Sequence, residues 1–265
     1  MNRRNTNGSL RRWVEPSDIR AVLLDAGNTL IFLDYDVIAD TIEGGGFSID
    51  AAALELSEYR ARRRVDQKYL EGGFNDASMW QCYFDWLMEE AGVPSGLRPE
   101  ILERLRRRHA ESNLWSRTKP EVREAMARLA DSGRIVAVIS NSDGSCRELL
   151  RRLDLLSFCH AVYDSAELGV EKPDERIFEI ALRDLTFEPT QALYMGDLEA
   201  IDVLGARRAG ILPVLADPHP RGNAVDFPVL RGVSELPDAL EVEPSARAQL
   251  LANEARPPGG GAPGD

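Results

Sequence analysis

Cysteine is scarce in this chain of 265 residues, and an apolar run of membrane-spanning length is lacking altogether. The three cysteines, Cys82, Cys146 and Cys159, form neither a C-x-x-C metal or redox motif nor a disulfide framework. No run of about 18 apolar residues occurs, and no apolar stretch of signal-peptide length follows the basic N-terminus. These absences predict reduced thiols in a cytoplasmic protein that has no membrane partner.

An excess of positive charge is also lacking. The formal net charge is -12 and the isoelectric point is about 4.9, so the overall field repels nucleic acid and anionic membranes. Hydrophobic residues make up 43% of the chain, which is enough for a sizeable buried core. We therefore expect a globular protein that binds neither nucleic acid nor a membrane.

Lysine is rare in comparison with arginine. Lys68, Lys119 and Lys172 are the three lysines among 32 lysine and arginine residues. A lysine that falls inside a motif is therefore informative, and Lys172 lies in the polar segment LGVEKPDERIF.

Short aliphatic segments alternate with helical patterns along most of the chain. Five segments predict β-strands: IRAVLLDAG, RIVAVISNS, HAVYDS, ALYMGD and ILPVLAD. Helical patterns occupy residues near 144–154, 174–184 and 200–209. Strands that are buried on both faces by crossover helices give this alternation. We therefore predict an α/β fold, a three-layer, Rossmann-like parallel sheet of about five strands.

One long interval interrupts the alternation. Residues 35–117, between the first two predicted strands, are almost wholly helical in pattern, in the segments AAALELSEYRARRRVDQKYL, DASMWQCYFDWLMEEAG and PEILERLRRRHAES. The helix predicted at 120–133 already supplies the crossover between those strands. We therefore predict an α-helical cap over 35–117, inserted into a core domain formed by 18–34 and 118–240. Residues 1–17 and 241–265 are expected to be largely disordered tails.

Polar side chains cluster where the predicted strands end. They are Asp25, Ser140, Asn141, Lys172, Asp197 and Asp202. Parallel strands present these ends along a single edge of the sheet, which would bring carboxylates, a hydroxyl and an ammonium group into one crevice. Clustered carboxylates repel one another unless a cation lies among them, and oxygen ligands of this kind suit Mg²⁺.

These motifs, in this order and with a helical insertion after the first, resemble the haloacid dehalogenase-like (HAD) superfamily of hydrolases. The match is to the subgroup whose helical cap follows the first motif. The resemblance covers roughly residues 19–235 and rests on the combination of motifs. It implies a Mg²⁺-dependent hydrolase, in most cases a phosphatase, that acts on a small phosphorylated substrate. It leaves the oligomeric state open.

The resemblance also implies a role for each strand-end residue. Asp25 would be the nucleophile that forms an aspartyl-phosphate, with Lys172 and Ser140 as the other catalytic residues. The phosphate would be held by Ser140, Asn141, Lys172 and Thr29. Mg²⁺ would be held by Asp25, the backbone carbonyl of Gly27, Asp197 and Asp202, the last through water or as a support for Asp197.

Gly27 departs from the pattern of most phosphatases in this superfamily. They carry a second aspartate two residues after the nucleophile, as general acid and base, whereas this chain has Gly27 there. Glycine can offer its carbonyl to a metal but cannot move a proton, and acid-base catalysis typically contributes about 10² to 10⁴ in rate. We favour a phosphatase that is slow, acts on a leaving group needing little protonation, such as an acyl or enol phosphate, or borrows an acid such as Asp34 or Asp36.

Two other interpretations stay open. Haloacid dehalogenases and phosphonoacetaldehyde hydrolases also lack this aspartate. The former work without a metal, and the latter need a cap lysine to form a Schiff base, for which Lys68 is the one candidate within 35–117. Alternatively, a phosphate-sensing or partner-binding protein could keep the metal site and have lost turnover.

Several residues near these motifs have a simpler structural interpretation. The arginines of YRARRR and RLRRRH are typical of solvated helix faces, and the aromatic residues of MWQCYFDWLM are typical of core packing. His109, His160 and His219 match no ligand or triad spacing, and nothing marks Cys146 as a reactive thiolate.

Overall fold

The computed structural model describes residues 10–72, 76–219 and 225–241, without the side chains of residues 76–78. Its strands are β1 (Ala21–Leu24), β2 (Phe32–Leu33), β3 (Trp115–Arg117), β4 (Ile135–Ser140), β5 (Ala161–Asp164), β6 (Ala192–Gly196), β7 (Leu212–Ala216) and β8 (Val229–Leu230). Its α-helices are α1 (Tyr35–Glu43), α2 (Ala51–Leu70), α3 (Asp76–Glu90), α4 (Arg98–Glu111), α5 (Pro120–Asp131), α6 (Cys146–Arg152), α7 (Ser165–Leu168), α8 (Glu175–Leu185), α9 (Leu204–Arg208) and α10 (Leu236–Ala239). A π-helical turn, Glu199–Val203, precedes α9.

Six parallel strands form the central sheet, in the order β5-β4-β1-β6-β7-β8. The first strand lies inside the sheet, where Leu24 is opposite Val138 on one side and Met195 on the other. All five predicted strands are present. The additional strand, β8, has two residues at the sheet edge and is too short to produce a periodic pattern.

Apolar clusters cover both faces of this sheet. Val22 and Leu24 pack into the cluster that includes residues of α5 and α6, whereas Ala21 and Leu23 pack into the cluster that includes residues of α8. Successive side chains of a strand point to opposite faces, so β1 contributes to both clusters. The three-layer α/β architecture predicted from the alternation is confirmed.

The helices between β2 and β3 pack around an apolar cluster of their own. We call α1 to α4 the helical insertion. The bounds of α2, α3 and α4 agree closely with the periodic segments, whereas α1 is a short helix that the periodicity does not single out. The antiparallel strands β2 and β3 join the two ends of the insertion, with Leu33 opposite Trp115.

The first residues that the structure describes are packed against the core. Leu10 is fully buried, and Arg11 donates a hydrogen bond to the carbonyl of Glu241 (3.2 Å). The expectation of a disordered tail over 1–17 therefore fails from residue 10 onward, because Leu10 provides an apolar anchor. Residues 1–9 and 242–265, the rest of the expected tails, lie outside the described residues.

No described helix combines the length and the apolar character needed to cross a membrane. A cytoplasmic location stays a prediction.

Candidate active site

The C-terminal ends of three neighbouring strands bring the predicted residues to one edge of the sheet. Asp25 directly follows β1, Ser140 is the last residue of β4, and Asp197 directly follows β6. Because β1 pairs with both β4 and β6, side chains that are far apart in sequence meet there. This is the edge at which open α/β sheets bind ligands.

Lys172 joins the acidic residues of this cluster. Its Nζ donates to Oδ1 of Asp25 (2.5 Å), to Oδ1 of Asp202 (2.8 Å) and to the hydroxyl of Tyr194 (2.7 Å). The Tyr194 hydroxyl in turn donates to Oδ1 of Asp202 (2.8 Å). Burial opposes the charge of Lys172, but Asp202 and Asp25 outweigh it and raise the pKa of the ammonium. A charged ammonium is therefore held beside the Asp25 carboxylate.

The side chain of Asn141 fixes the backbone of Lys172. Its Oδ1 accepts from the Lys172 N–H and its Nδ2 donates to the Lys172 carbonyl, both at 2.8 Å. The side-chain amide therefore positions the lysine, and phosphate binding by the Asn141 backbone stays a prediction. Ser140, next to it, is buried and lines the same cavity.

Burial dominates the electrostatics of Asp25. It raises the pKa of this carboxyl to about 8, with Asp202 and Asp197 adding to the effect and Lys172 opposing it. Lys172 binds Oδ1 of Asp25, whereas Oδ2 faces the position where a side chain at Gly27 would begin, 3.9 Å away. Oδ2 is thus the oxygen left for a ligand.

An arginine of the helical insertion contacts Asp197. Nη1 of Arg62, on α2, lies 2.8 Å from Oδ2 of Asp197, and Nδ2 of Asn28 donates to the same oxygen (3.3 Å). Arg62 is 7% exposed, so it is not part of the solvated face to which YRARRR was assigned. Its neighbours Arg60 and Arg63 are exposed, as that interpretation predicts.

Glu58 holds the other side of the Arg62 guanidinium. Nε of Arg62 lies 3.2 Å from Oε1 of Glu58, which also accepts from the Tyr83 hydroxyl (2.7 Å). Burial disfavours the charge of Arg62, but Glu58 and Asp197 outweigh it and raise the pKa of the guanidinium. Arg62 therefore stays charged although it is buried.

Two further residues of α2 attach the insertion to the core. The hydroxyl of Tyr59 donates to Oδ1 of Asp217 (2.9 Å), just after β7. The carboxylate of Asp66 accepts from the N–H of Ala200 (2.8 Å), in the π-helical turn. With Arg62, these residues form a polar face of α2 that rests on the segments following β6 and β7.

Asp25, Asp197 and Asp202 can together hold a cation. Each offers one carboxylate oxygen, and these oxygens lie within 4.8 Å of one another. Burial and the nearby Asp202 carboxylate raise the pKa values of Asp25 and Asp197. A divalent cation bound among these carboxylates would favour their charged forms and lower those pKa values. An all-oxygen set suits Mg²⁺, so the residues fit the predicted metal. Gly27, predicted to offer its carbonyl, lines the same cavity.

A cavity of about 330 Å³ opens beside Asp25, between the sheet edge and the helical insertion. Its sheet side is polar, whereas its other side is formed largely by aromatic rings: Trp80, Tyr83, His109 and Trp115. The segment MWQCYFDWLM thus serves two purposes, because Trp80 and Tyr83 line the cavity while Phe84 is fully buried in the core. The volume is that of a small-molecule site.

Two glycines at this site have different reasons to be glycine. A Cβ on Gly196 would lie 2.2 Å from Cγ of Asp202, so the Asp202 carboxylate can reach Lys172 only if residue 196 lacks a side chain. A Cβ on Gly27 would have nothing nearer than 3.9 Å, and the backbone there has no positive φ. Neither backbone strain nor crowding therefore demands glycine at position 27.

Other predicted residues lie outside the cavity. Thr29 is buried, and its hydroxyl has no partner among the described residues, so its phosphate-binding role stays a prediction. Asp34 caps α1 by accepting from Val37 N (3.2 Å) and pairs with Arg117 (2.8 Å). Asp36 is exposed on α1. Neither acid lines the cavity to replace a missing proton donor.

Lys68, the lysine on which a Schiff-base mechanism would depend, is about half exposed. Its Nζ lies 3.8 Å from a carboxylate oxygen of Glu71, outside the cavity lining. The thiol of Cys146 does line the cavity, but burial raises its pKa to about 12. Neither residue is activated as a nucleophile.

Three residues of the site are not indicated by sequence patterns. Tyr194 lies within the predicted strand segment ALYMGD but resembles any buried aromatic residue there. Arg62 is one of four arginines in YRARRR, and Trp115 lies in the short segment before α5. Arg62 is distinguished from its neighbours by its burial, and Trp115 by the pairing of β3 with β2. Both features are visible only in the folded structure.

Comparison with known proteins is consistent with this arrangement. A model of the haloacid dehalogenase-like hydrolases matches residues 19–210. The chain is 30% identical over 200 residues to the glyceraldehyde 3-phosphate phosphatase of Methanopyrus kandleri, an alignment that covers 74% of this chain and 83% of the relative. It is 28% identical over 240 residues to human haloacid dehalogenase-like hydrolase domain-containing protein 3, covering 84% and 94%.

A solved structure shares the fold. The crystal structure of YfnB from Bacillus subtilis bound to magnesium superposes with a TM-score of 0.63, at 18% sequence identity, covering 84% of this chain and 99% of that one. At this level of identity the likeness concerns the fold alone.

Proposed function

This chain belongs to the haloacid dehalogenase-like hydrolases, and within that family we propose that it is a Mg²⁺-dependent phosphatase of small phosphorylated molecules. The observation that carries the proposal is the contact between Asp25 and Lys172 beside Asp197 and Asp202. A carboxylate, a fixed ammonium and a cation site at one cavity are the groups that phosphoryl transfer requires. The relative from Methanopyrus kandleri, named as a phosphatase, supports the same assignment.

In this proposal Asp25 is the nucleophile. Lys172 occupies Oδ1, which orients the carboxylate and leaves Oδ2 to attack phosphorus. The ammonium also offsets the repulsion between the carboxylate and a phosphate dianion. Mg²⁺, held by Asp25, Asp197 and Asp202, would supply further charge neutralisation, and Ser140 would donate to the phosphoryl oxygens.

The helical insertion serves as a cap in this proposal. Its aromatic side covers the cavity, and α2 contacts the Asp197 loop through Arg62 and Asp66. Such a cover excludes water from the reacting groups and strengthens their electrostatic interactions.

Gly27 restricts the substrates in this proposal. The residue beside Oδ2 of Asp25 has no side chain, and neither Asp34 nor Asp36 lines the cavity. The leaving group must therefore depart with little help from a protonated acid. This condition favours esters of acidic alcohols and mixed anhydrides, such as aryl, enol or acyl phosphates.

The test compares wild type, Asp25→Asn and Gly27→Asp in the hydrolysis of 4-nitrophenyl phosphate with Mg²⁺. We expect measurable turnover by wild type and none by Asp25→Asn, because the amide cannot attack phosphorus. Gly27→Asp should raise turnover about tenfold or more, since general acid-base catalysis is restored and a Cβ has room at this position. Initial rates and retained secondary structure are the measurements.

A second arm of this test separates an enzyme from a binding protein. Wild type mixed with acetyl phosphate and Mg²⁺ should carry a covalent phosphate on Asp25, detected by mass spectrometry, and Asp25→Asn should not. If neither wild type nor Gly27→Asp hydrolyses 4-nitrophenyl phosphate and the covalent adduct does not form, the phosphatase assignment is overturned in favour of a phosphate-binding protein.

A further inference from the structure

The indole of Trp115 lies next to the place that a side chain at position 27 would occupy. Its Nε1 is 3.9 Å from the Cβ position of Gly27, the same distance that separates this position from Oδ2 of Asp25. Nε1 of Trp115 and Oδ2 of Asp25 are therefore no more than twice that distance apart, and both border the small volume that Gly27 leaves open. In phosphoryl transfer to Oδ2 the departing oxygen lies on the far side of phosphorus, roughly in line with Oδ2, and Trp115 Nε1 borders the open volume next to that oxygen.

The N–H of Trp115 is available to a ligand. Trp115 lines the cavity, and across the described part of the chain its Nε1 is neither fully buried nor bonded to an acceptor. The indole of Trp80, on the same side of the cavity, differs in this respect because its Nε1 is fully buried without a partner. Of these two indoles, Trp115 presents its N–H to the cavity.

Packing holds the Trp115 ring in place. It stacks on Tyr83 at 5.8 Å between centroids and meets Phe84 edge-on at 5.7 Å. Its backbone N–H donates to Oδ1 of Asn113 (2.9 Å), and it pairs across β2 and β3 with Leu33. Because β2 follows the first motif closely, this pairing fixes the indole beside Gly27. A donor held in this way needs little reorganisation during reaction.

We propose that Trp115 Nε1–H donates a hydrogen bond to the leaving-group oxygen, at the position where a general acid is missing. The inference rests on the proposed phosphatase function and extends it. Oδ2 of Asp25 forms a bond to phosphorus while the phosphorus–oxygen ester bond breaks, and the electron pair stays on the departing oxygen. Trp115 keeps its proton and stabilises this anion, which takes up a proton from water after release.

Indole is far too weak an acid to transfer its proton, so this hydrogen bond helps only leaving groups that are stable as anions. The aromatic rings of Trp80, Tyr83 and Trp115 would contact an apolar or aromatic body attached to that oxygen. The inference therefore assigns aryl or enol phosphates, rather than simple sugar phosphates, as the substrate class.

The test measures kcat/KM for a series of aryl phosphates whose phenols differ in acidity, with wild type and Trp115→Phe. Phenylalanine keeps the ring packing and removes the N–H. We expect a loss of about tenfold to a hundredfold for the least acidic phenols and a much smaller loss for 4-nitrophenol. The plot of log kcat/KM against phenol pKa should therefore become steeper.

Trp80→Phe is the matched control, because it makes the same chemical change in a residue of the same cavity, at an N–H that is fully buried. Its slope should equal that of wild type, whatever its effect on the overall rate. In the Gly27→Asp background the aspartic acid protonates the leaving group, so Trp115→Phe should change the slope less than it does alone.

A second measurement uses the unaltered chain, in case Trp115→Phe does not fold. With ¹⁵N-labelled tryptophan, adding 4-nitrophenolate should move one of the four indole proton signals downfield. A uniform loss for every phenol, equal slopes for the two phenylalanine variants, or four stationary indole signals would overturn the inference. Failure of wild type and Gly27→Asp to hydrolyse any aryl phosphate would instead overturn the proposed function on which it rests.

Discussion

Arg62 makes two ionic contacts while it is almost completely buried. It lies between Glu58 of its own helix, 3% exposed, and Asp197 of the core. A buried ion pair gains little over an apolar replacement of the same shape, but removing one partner leaves the other charge uncompensated. The stability of this contact therefore depends on both charges being present together.

We expect Arg62→Met to lower the free energy of unfolding by about 3 to 5 kcal/mol, because Glu58 loses its cation. The double variant Glu58→Gln/Arg62→Met should recover part of this loss, since a neutral amide needs no counter-ion, whereas Asp197 still lacks its cation. Urea unfolding with a chelator present measures both. Arg60→Met, at an exposed arginine of the same helix, is the control and should change little. A double variant no more stable than the single one would contradict this account.

At the scale of elements, the end of β6 and the π-helical turn after it approach each other very closely. Asp202 of the turn folds back over Gly196 and accepts from the N–H of Leu198 (3.0 Å). This fold-back aims its other oxygen at Lys172 and Tyr194. The turn thus positions the ammonium group of Lys172 through Asp202, while Asn141 positions the backbone of the same residue.

Gly196→Ala should displace the Asp202 carboxylate, because the new Cβ would lie 2.2 Å from its Cγ. A shift of this size misplaces Lys172, and we expect at least about a hundredfold loss of phosphatase activity together with a lower melting temperature. Gly27→Ala is the matched change, for which the nearest atoms are 3.9 Å away, and its melting temperature should stay close to that of wild type. Equal melting temperatures for the two variants would count against the fold-back as the reason for Gly196.

The helices and the sheet differ in how far sequence patterns describe them. The helical spacing in residues 51–70 predicts α2 with its observed ends. It does not predict the polar part of the buried face, which includes Glu58, Arg62 and Asp66. Strands β2 and β8 have two residues each, so no period exists to be recognised. The pairing of β2 with β3, which brings Trp115 to the site, joins segments separated by four helices.

At the scale of the whole molecule, the cluster at the sheet edge concentrates negative charge within a chain that is already acidic. Asp25, Asp197 and Asp202 meet because β1 and β6 end side by side and the turn after β6 folds back, and Lys172 and Arg62 supply the balancing cations. Folding therefore brings together charges that are well separated in the unfolded chain. A divalent cation should act on the stability of the entire fold as well as on catalysis.

We expect the stability of the metal-free protein to fall as pH rises from about 4 towards 8. Burial raises the pKa of Asp25 from its ordinary 3.8 to about 8, so within this window the folded protein holds a proton that the unfolded chain releases. Mg²⁺ replaces this proton, and saturating Mg²⁺ should remove the decline. Urea unfolding at about pH 5 and about pH 8.5, with Mg²⁺ or with a chelator, measures the effect.

Asp66 also contributes to the decline in stability, because burial raises its pKa to about 6. Asp25→Asn therefore serves to isolate the contribution of the Asp25 carboxyl. The variant should show a smaller decline without metal than wild type does. An equal decline in both proteins would assign the pH dependence to other groups.

The amino-acid sequence by itself determined the fold class, the five main strands, the three long helices of the insertion and the order of the strand-end residues. These properties follow from local patterns, because a buried strand or an amphipathic helix carries its burial in its own periodicity. Tertiary structure alone decided that Arg62 contacts Asp197, that Tyr194 bonds to Lys172 and that Trp115 faces Gly27. Each of these contacts depends on how separate elements pack against the sheet edge, and no local pattern records that packing.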